Sequence, residues 1–503
     1  MIKTIAFTLY DWLAYDRNRL DDPEKSIPAH KQLSREEVLV LEPALEAEDL
    51  SGAMLFYDYQ MYSPERLALE CIMSAVEAGA DAANYAEVTE IFREEDRVTG
   101  LRVIDCTPGV VDPDTPPREY RLTGKIIVNA AGPWADLLMA ALHHENGQAQ
   151  ARRLIRSKGI HLLTRPITNG HAIAVIGENT HFFILPWRGY SILGTTDTVY
   201  EGDPDGVHVT EKDIVDFLAV VNKGYPGARL LRSDVMYFYA GLRPLVDTSI
   251  AQPDTQEAAD SPDSYRLSRA SEVYDHEEEE GLKGLVTVIG GKWTTSRNLA
   301  QQVVDLVMKR LALPPAPCSP SDTPTYGGDI GPFADYCTQV KVNYPDLDPE
   351  LAVHLARYYG SKMERLVGLI RADPALAEPL CARFPEVAAQ VVHAVREEMA
   401  LSIDDILLRR TGLGTVGSPG EAAIARVAEI MGVELGWTPE HRDIQIDETI
   451  SKFVSWARTT AVVNPHSWGD RTGLVWPEIE SRLRRSIGPI KVVLDAFREE
   501  ELD

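Results

Sequence analysis

VNAAGPWAD (Val128–Asp136) and IGGKWTTSRNLA (Ile289–Ala300) decide the fold of this 503-residue chain. Each ends an apolar run, KIIVNAAG (125–132) or GLVTVIGG (284–291), in small residues followed by a stretch of helix-like composition. That is the pattern of a strand-to-turn-to-helix corner, at which backbone N–H groups of a helix N-terminus face an anionic or electron-rich ligand. In the first corner Ala131 and Gly132 let a ligand approach the backbone closely, and Pro133 with Trp134 begins the helix. The second supplies Gly290, Gly291, Lys292 and the hydroxyls of Thr294 and Thr295 at a helix start. A Lys292 turned inward needs an anion beside it. Taken alone, the first corner is equally an ordinary strand–helix junction. Together the two read as flavin-site machinery.

Outward from these corners, HLLTRP, AIAVI, FFILPW, YSILGTT and MYFYAGLRPL, between 151 and 275, read as strands of a substrate-domain sheet parted by Gly, Pro, Asn and Asp. DAANYAEVTEIFREEDRVTGLRVIDC alternates as strands with a turn near Asp96. SPERLALECIMSAVEAGA (63–80) predicts a helix: Ser63 caps it, Pro64 takes its first position, Leu67, Cys71, Met73 and Val76 supply the apolar positions, and Gly79 ends it. The rest of the first 70 residues reads as helix and loop, with Ser34 and Glu37 at the capping-box offset. Five prolines in LPPAPCSPSDTP (313–324) mark a linker. Beyond it VHLARYYG, MERLVGLI, EVAAQVVHAVREEMA and EAAIARVAEIMGV have the helical period and few strand signals. The acidic run Asp275–Glu280 reads as a solvated loop.

A hydrophobic content of 44% over this length supplies two or three packed domains. Fifty basic against 77 acidic residues, a net charge of −27, exclude a nucleic-acid binder, which needs a clustered basic surface. The densest basic group, Arg482, Arg484 and Arg485 before Lys491, reads as a solvated helix face. Cys71, Cys106, Cys318, Cys337 and Cys381 show no CxxC spacing and no neighbouring His pairs, so neither a disulfide framework nor a metal site is expected. The opening MIKTIAFTLYDWLAYDRNRLDD lacks the apolar core and cleavage site of a signal peptide, and no run of about 18 apolar residues occurs to span a membrane. A reducing, cytoplasmic setting is expected.

A literal GxGxxG stands at Gly412, Gly414 and Gly417, but it follows IDDILLRR, which has helical periodicity. A dinucleotide fingerprint follows a buried strand and opens a helix, so this one reads as a helix C-cap and loop. Three other residues carry chemistry. Arg243 in AGLRPLVD follows an apolar strand, and Arg269 in RLSRASEVYD lies in a polar one; a planar guanidinium suits a phosphate or carboxylate. His161 in SKGIHLLTRP is either a satisfied core histidine or a base whose ordinary pKa suits proton abstraction.

With these residues in place, the chain resembles the FAD-dependent glycerol-3-phosphate dehydrogenases, flavoproteins that pass electrons to quinone, with a related oxidase branch that uses oxygen. The matching pieces run in family order: YDWLA (10–14), SGAMLFYDYQMYSPERLALECIMSAVEAGA, NYAEV, VNAAGPWAD, RSKGIHLL, FFILPWRGYSILGTTDT, GLRPL, GGKWTTSR and EEMALSIDDILLRRTGLG. They span nearly the whole chain, and GTTDT, GLRPL and GGKWTTSR together are specific. The family's opening GxGxxG, the acidic ribose ligand after it and its SxKLIHGGxRYL segment are not found in the sequence.

The resemblance implies an α/β flavoprotein of two-domain FAD/substrate plan with an α+β substrate sheet, truncated at its N-terminus, and an all-α C-terminal domain. The boundaries are 1–312 for the oxidoreductase domain, its incomplete FAD-binding part interleaved with the substrate sheet, 313–324 for the linker and 325–503 for the helical domain. By the same resemblance, Arg243, Arg269 and Lys292 contact glycerol 3-phosphate or steady its alkoxide, and His161 is the base. Glu87, Val88, Ala131, Gly132, Gly291, Lys292, Thr294 and Thr295 contact FAD. The expected reaction takes the secondary hydroxyl to dihydroxyacetone phosphate, with hydride passing to FAD and electrons onward to quinone or oxygen. Peripheral contact with the inner face of the cell membrane and a homodimer are compatible with it. The missing diphosphate cradle leads us to expect weak FAD binding. The alternatives are an amine- or hydroxyacid-oxidising flavoprotein of the same plan, and a non-catalytic remnant that binds a partner through an exposed sheet.

Overall fold

A computed structural model describes residues 2–20, 22–45, 50–108, 117–144, 154–177, 180–246, 271–318, 323–458 and 490–494. The main sheet has nine strands: β1 (Lys31–Ser34), β2 (Gly52–Asp58), β7 (Leu154–Thr164), β8 (Ala172–Gly177), β9 (Thr180–Trp187), β10 (Tyr190–Gly194), β11 (Thr198–Val199), β12 (Val235–Val246) and β15 (Ile490–Leu494). Two three-stranded sheets flank it. One orders β3 (Ala86–Glu94), β4 (Arg97–Asp105) and β5 (Glu119–Thr123); the other orders β13 (Ser271–Asp275), β14 (Leu285–Gly290) and β6 (Ile127–Asn129).

The longest ladder, β7 against β12, organises the molecule. It is antiparallel and pairs Tyr239 with His161, Gly241 with Gly159 and Arg243 with Ser157. Because side chains alternate across a strand, β7 feeds two cores at once. Ile160 and Leu162 pack with Phe182, Ile184, Leu193 and the helix Glu211–Gly224, which contributes Ile214, Phe217, Leu218 and Val221. Leu163, Tyr237 and Tyr190 point the other way, onto Ile403, Leu407, Leu413, Val416 and Val427 of the C-terminal helices. Each such side chain, fully buried, contributes about 1.5–3 kcal/mol. That double burial is why LIRSKGIHLLT is a nearly continuous apolar run at its C-terminal end.

Several expectations need correction. The first 70 residues are not only helix and loop: KQLS and GAMLFYD pair as β1 and β2, while the helix Arg35–Leu41 has its capping box between Ser34 and Glu37. The helix Pro64–Glu77 buries Arg66, Leu69 and Met73, whereas Cys71 and Val76 are exposed. Arg66 occupies a core-facing position because the helical domain supplies a carboxylate to it. The run from Asp275 is no solvated loop: Asp275 is buried and caps the short helix His276–Glu280, and Arg310 holds Asp275, Glu277 and Glu278. Helices follow one another from Phe333 to Arg458, but Ile490–Leu494 returns to the main sheet, antiparallel to β2 and parallel to β8. The group Arg482, Arg484 and Arg485 lies outside the described residues. Among the described residues no helix is long and apolar enough to cross a membrane.

Candidate active site

Residues directly opposite in an antiparallel ladder share a face, so His161, Tyr239, Gly159, Gly241, Ser157 and Arg243 stand on one side of the sheet. Gly194 of β10 faces His161 from the other flank. A Cβ on Gly194 would lie 2.1 Å from His161 Cδ2, and one on Gly159 would lie 2.3 Å from Arg243 Nη2. The imidazole and the guanidinium therefore each rest on the bare backbone of a neighbouring strand. A glycine inside a strand is the signal of such close approach.

Arg243 is held by the turn after β10. Its Nη2 donates to Thr195 Oγ1 at 2.6 Å and its Nη1 to the Thr196 carbonyl at 3.1 Å, with Asp197 Oδ1 at 3.8 Å. His161 makes no side-chain hydrogen bond among the described residues and packs beside Tyr239 at 6.2 Å between ring centroids. Burial, and then the charge of Arg243, bring its pKa down to about 4, so the imidazole is neutral at pH 7 and able to accept a proton.

The two glycine corners adjoin each other. β6 and β14 run parallel, pairing Val128 with Val286 and Asn129 with Thr287, so Gly132 and Gly290 leave the sheet at the same carboxyl edge. This edge is where ligands bind in open α/β sheets. Gly132 has φ +55° and nothing within 4 Å of its missing Cβ; Gly291 has φ +96°. Lys292 to Thr295 are exposed, and Thr295 Oγ1 accepts from the Lys292 N–H while donating to the Lys292 carbonyl. Lys292 thus faces solvent. β12 packs against both β14 and the turn Gly132–Trp134, which sets the Arg243 strand beside the corners. Buried Arg156 fixes this junction by donating to the Pro133 carbonyl at 2.8 Å and pairing with Asp136.

The helical domain covers the end of the His161 face. Tyr239 donates its hydroxyl to the Thr415 carbonyl at 3.2 Å. Arg188, buried, donates to the Gly412 carbonyl at 2.8 Å and to the Tyr358 hydroxyl at 2.9 Å. A Cβ on Gly412 would meet Arg188 Nη1 at 1.5 Å. The literal GxGxxG is therefore a buried turn filled by an arginine, with no space for a dinucleotide phosphate.

Of the residues singled out from sequence, the structure brings His161 and Arg243 onto one face, and Ala131, Gly132, Gly291, Lys292, Thr294 and Thr295 to one sheet edge. Glu87 and Val88 lie on β3, which packs on the helix Ala135–His144 behind the first corner. Arg269 lies outside the described residues. Sequence reading missed Tyr239, Gly159, Gly194 and the Thr195–Asp197 turn. The glycine two residues before His161 within an apolar strand was the available signal for the first of these contacts.

Residues 6–297 match the FAD dependent oxidoreductase family, and residues 285–442 match the C-terminal domain of alpha-glycerophosphate oxidase. The chain belongs to the FAD-dependent oxidoreductases. Among similar proteins in this family are a glycerol-3-phosphate dehydrogenase of a Synechocystis species, 31% identical over 452 residues that cover 88% of this chain and 76% of that protein. Another, from Mycobacterium leprae, is 32% identical over 430 residues covering 84% and 68%. The structure of the Bacillus halodurans glycerol-3-phosphate dehydrogenase complexed with FAD is similar at a TM-score of 0.68 and 26% identity, covering 84% of this chain and 79% of that one.

The open corners of this FAD-dependent oxidoreductase fit part of a flavin dinucleotide. Gly132 and Gly291 present bare backbone at the carboxyl edge of parallel strands, and the Lys292 to Thr295 turn opens a helix with polar groups exposed. Val128, Trp134 and Trp293 at these corners are also exposed and offer apolar surface beside them.

Proposed function

We propose that this oxidoreductase converts sn-glycerol 3-phosphate to dihydroxyacetone phosphate and delivers the electrons to a quinone. The observation that carries the reading is the pairing of a neutral, unbonded imidazole with an arginine on one face of β7 and β12, beside the open corners. Relatives named glycerol-3-phosphate dehydrogenase over most of the chain support the choice of substrate.

Ala131, Gly132, Gly291, Lys292, Thr294 and Thr295, with Glu87 and Val88 behind them, hold FAD in this reading, and FAD when bound supplies the hydride acceptor. Arg243 takes the phosphate, its planar fork matched to two phosphate oxygens. His161 accepts the proton of the secondary hydroxyl on a ring nitrogen; its low pKa leaves that nitrogen unprotonated across the neutral range at the cost of basicity. Lys292, exposed at the N-terminus of a helix, steadies negative charge that develops near the corner.

The test is an assay of FAD-loaded protein with a soluble quinone analogue and enzymatic detection of dihydroxyacetone phosphate. The expected result is product from glycerol 3-phosphate and none from glycerol. Equal turnover of glycerol contradicts a phosphate anchor at Arg243.

A further inference from the structure

The anchor role of Arg243 depends on where its guanidinium is aimed, and the structure shows a dedicated support for it. The side chain lies flat on the backbone of Gly159, where a methyl group would fall 2.3 to 2.7 Å from Nη2, Nη1 and Cζ. On its far edge it is gripped by Thr195 Oγ1 and the Thr196 carbonyl. That gripping turn is itself tied to β7. The Ile160 N–H donates to Thr196 Oγ1 at 3.0 Å, and the Ser157 hydroxyl donates to the Asp197 carboxylate. Ser157 is the ladder partner of Arg243 and fully buried; the Asp197 side chain is only 6% exposed. A carboxylate so deeply withdrawn from water is held there only when its charge is answered, here by Arg243 at 3.8 Å and by hydroxyl donation.

The geometry points to the Thr195–Asp197 turn, with Ser157 and Gly159, as the mount that aims Arg243, and to Asp197 as a positioning residue for substrate affinity. This rests on the reading of Arg243 as the phosphate anchor. The turn supplies an acceptor on each guanidinium nitrogen that it reaches, which fixes both the plane and the rotation of the fork. Asp197 acts at one remove: it holds the turn to Ser157 and sets the field around the cation. Gly159 acts by its missing side chain, which lets the cation lie low on the sheet.

The mount makes a split in kinetics that general unfolding does not. Gly159→Ala and Asp197→Asn should each raise the KM for glycerol 3-phosphate by about tenfold or more while kcat of the FAD-loaded enzyme changes less than about threefold. Competitive inhibition by inorganic phosphate should weaken in parallel. In an Arg243→Ala background Asp197→Asn should have no further effect on KM, the non-additivity of residues acting through one group. Thr195→Val removes the 2.6 Å acceptor without touching the buried charge, and serves if Asp197→Asn folds poorly. Wild-type KM in Gly159→Ala, Asp197→Asn and Thr195→Val, with KM raised in Arg243→Ala, overturns the mount and keeps the anchor. Wild-type KM in Arg243→Ala overturns the anchor itself.

Discussion

Arg243 lies across Gly159 towards His161, so that a fixed cation and a neutral base share one face of a single antiparallel ladder. Their proximity is felt in the chemistry, because the guanidinium adds to burial in keeping the imidazole unprotonated. A phosphate bound at Arg243 and a proton accepted at His161 are then separate duties, and each can be removed alone.

Arg243→Ala should weaken the use of glycerol 3-phosphate far more than it changes the fold. If the phosphate contact is desolvated, the loss in kcat/KM corresponds to roughly 2–5 kcal/mol of transition-state stabilisation. Arg243→Lys should recover only part of this loss, because an ammonium cannot bond two phosphate oxygens in one plane. Steady-state kinetics of both variants check the prediction; unchanged kinetics remove Arg243 from the site.

His161→Asn should cut the rate of flavin reduction by about 10²–10⁴-fold with little change in thermal stability at pH 7. An NMR titration of labelled histidine should place His161 near its value of about 4, against about 6.5 for the unfolded chain. The sign follows from that depression. The native state resists the proton that the unfolded chain accepts, so stability is full above pH 6.5 and falls as pH drops towards 4. His161→Asn should flatten this part of the Tm against pH curve. A titration at 6.5 together with a normal rate in the variant removes His161 from proton transfer.

The helical domain is bound to the oxidoreductase domain through a buried ion pair, Arg66 with Glu398, in which Arg66 also donates to the Tyr358 carbonyl at 3.1 Å and lies 4.4 Å from the Tyr359 ring centroid. Burial alone raises the Glu398 pKa, but Arg66 and His393 more than offset it and hold the carboxyl below its usual range. Glu398→Ala should cost up to about 3–5 kcal/mol, since it takes the closer carboxylate from a buried guanidinium and leaves it Glu70 at 3.3 Å. For a lowered carboxyl the stabilisation is present above the unfolded pKa of about 4.3 and is lost as pH falls below it. Chemical denaturation at pH 7 and pH 4 checks both statements: the gap between wild type and variant should narrow in acid.

Gly412→Ala should destabilise the protein by about 1–3 kcal/mol through overpacking against Arg188. The same change at a phosphate-binding glycine would alter cofactor affinity first. A lowered Tm with unchanged FAD affinity is the expected outcome.

Most of the strands and helices that carry the site were legible in the chain, because alternation and helical period are local. β7, β12, the two corners and the helix at Pro64 follow from them. What escaped depends on partners distant in sequence. Arg66 faces the core only because Glu398 waits 332 residues away. GAMLFYD and IKVVL become strands by pairing with each other across the length of the chain. Gly159, a glycine inside an apolar strand, was a signal that went unread, and the role of Gly194 appears only once the ladder sets His161 against it. Asp197 was visible only as part of GTTDT, and its role appears once the ladder sets Ser157 beside it.

Which substrate reduces the flavin decides most directly between a phosphate anchor and its alternatives. FAD-loaded protein, made anaerobic, should lose its absorbance near 450 nm when sn-glycerol 3-phosphate is added, stoichiometrically and at a rate that His161→Asn lowers. Glycine, proline and simple hydroxyacids should leave the spectrum unchanged. Bleaching by an amino acid or hydroxyacid, with none by glycerol 3-phosphate, contradicts the phosphate anchor and the function built on it.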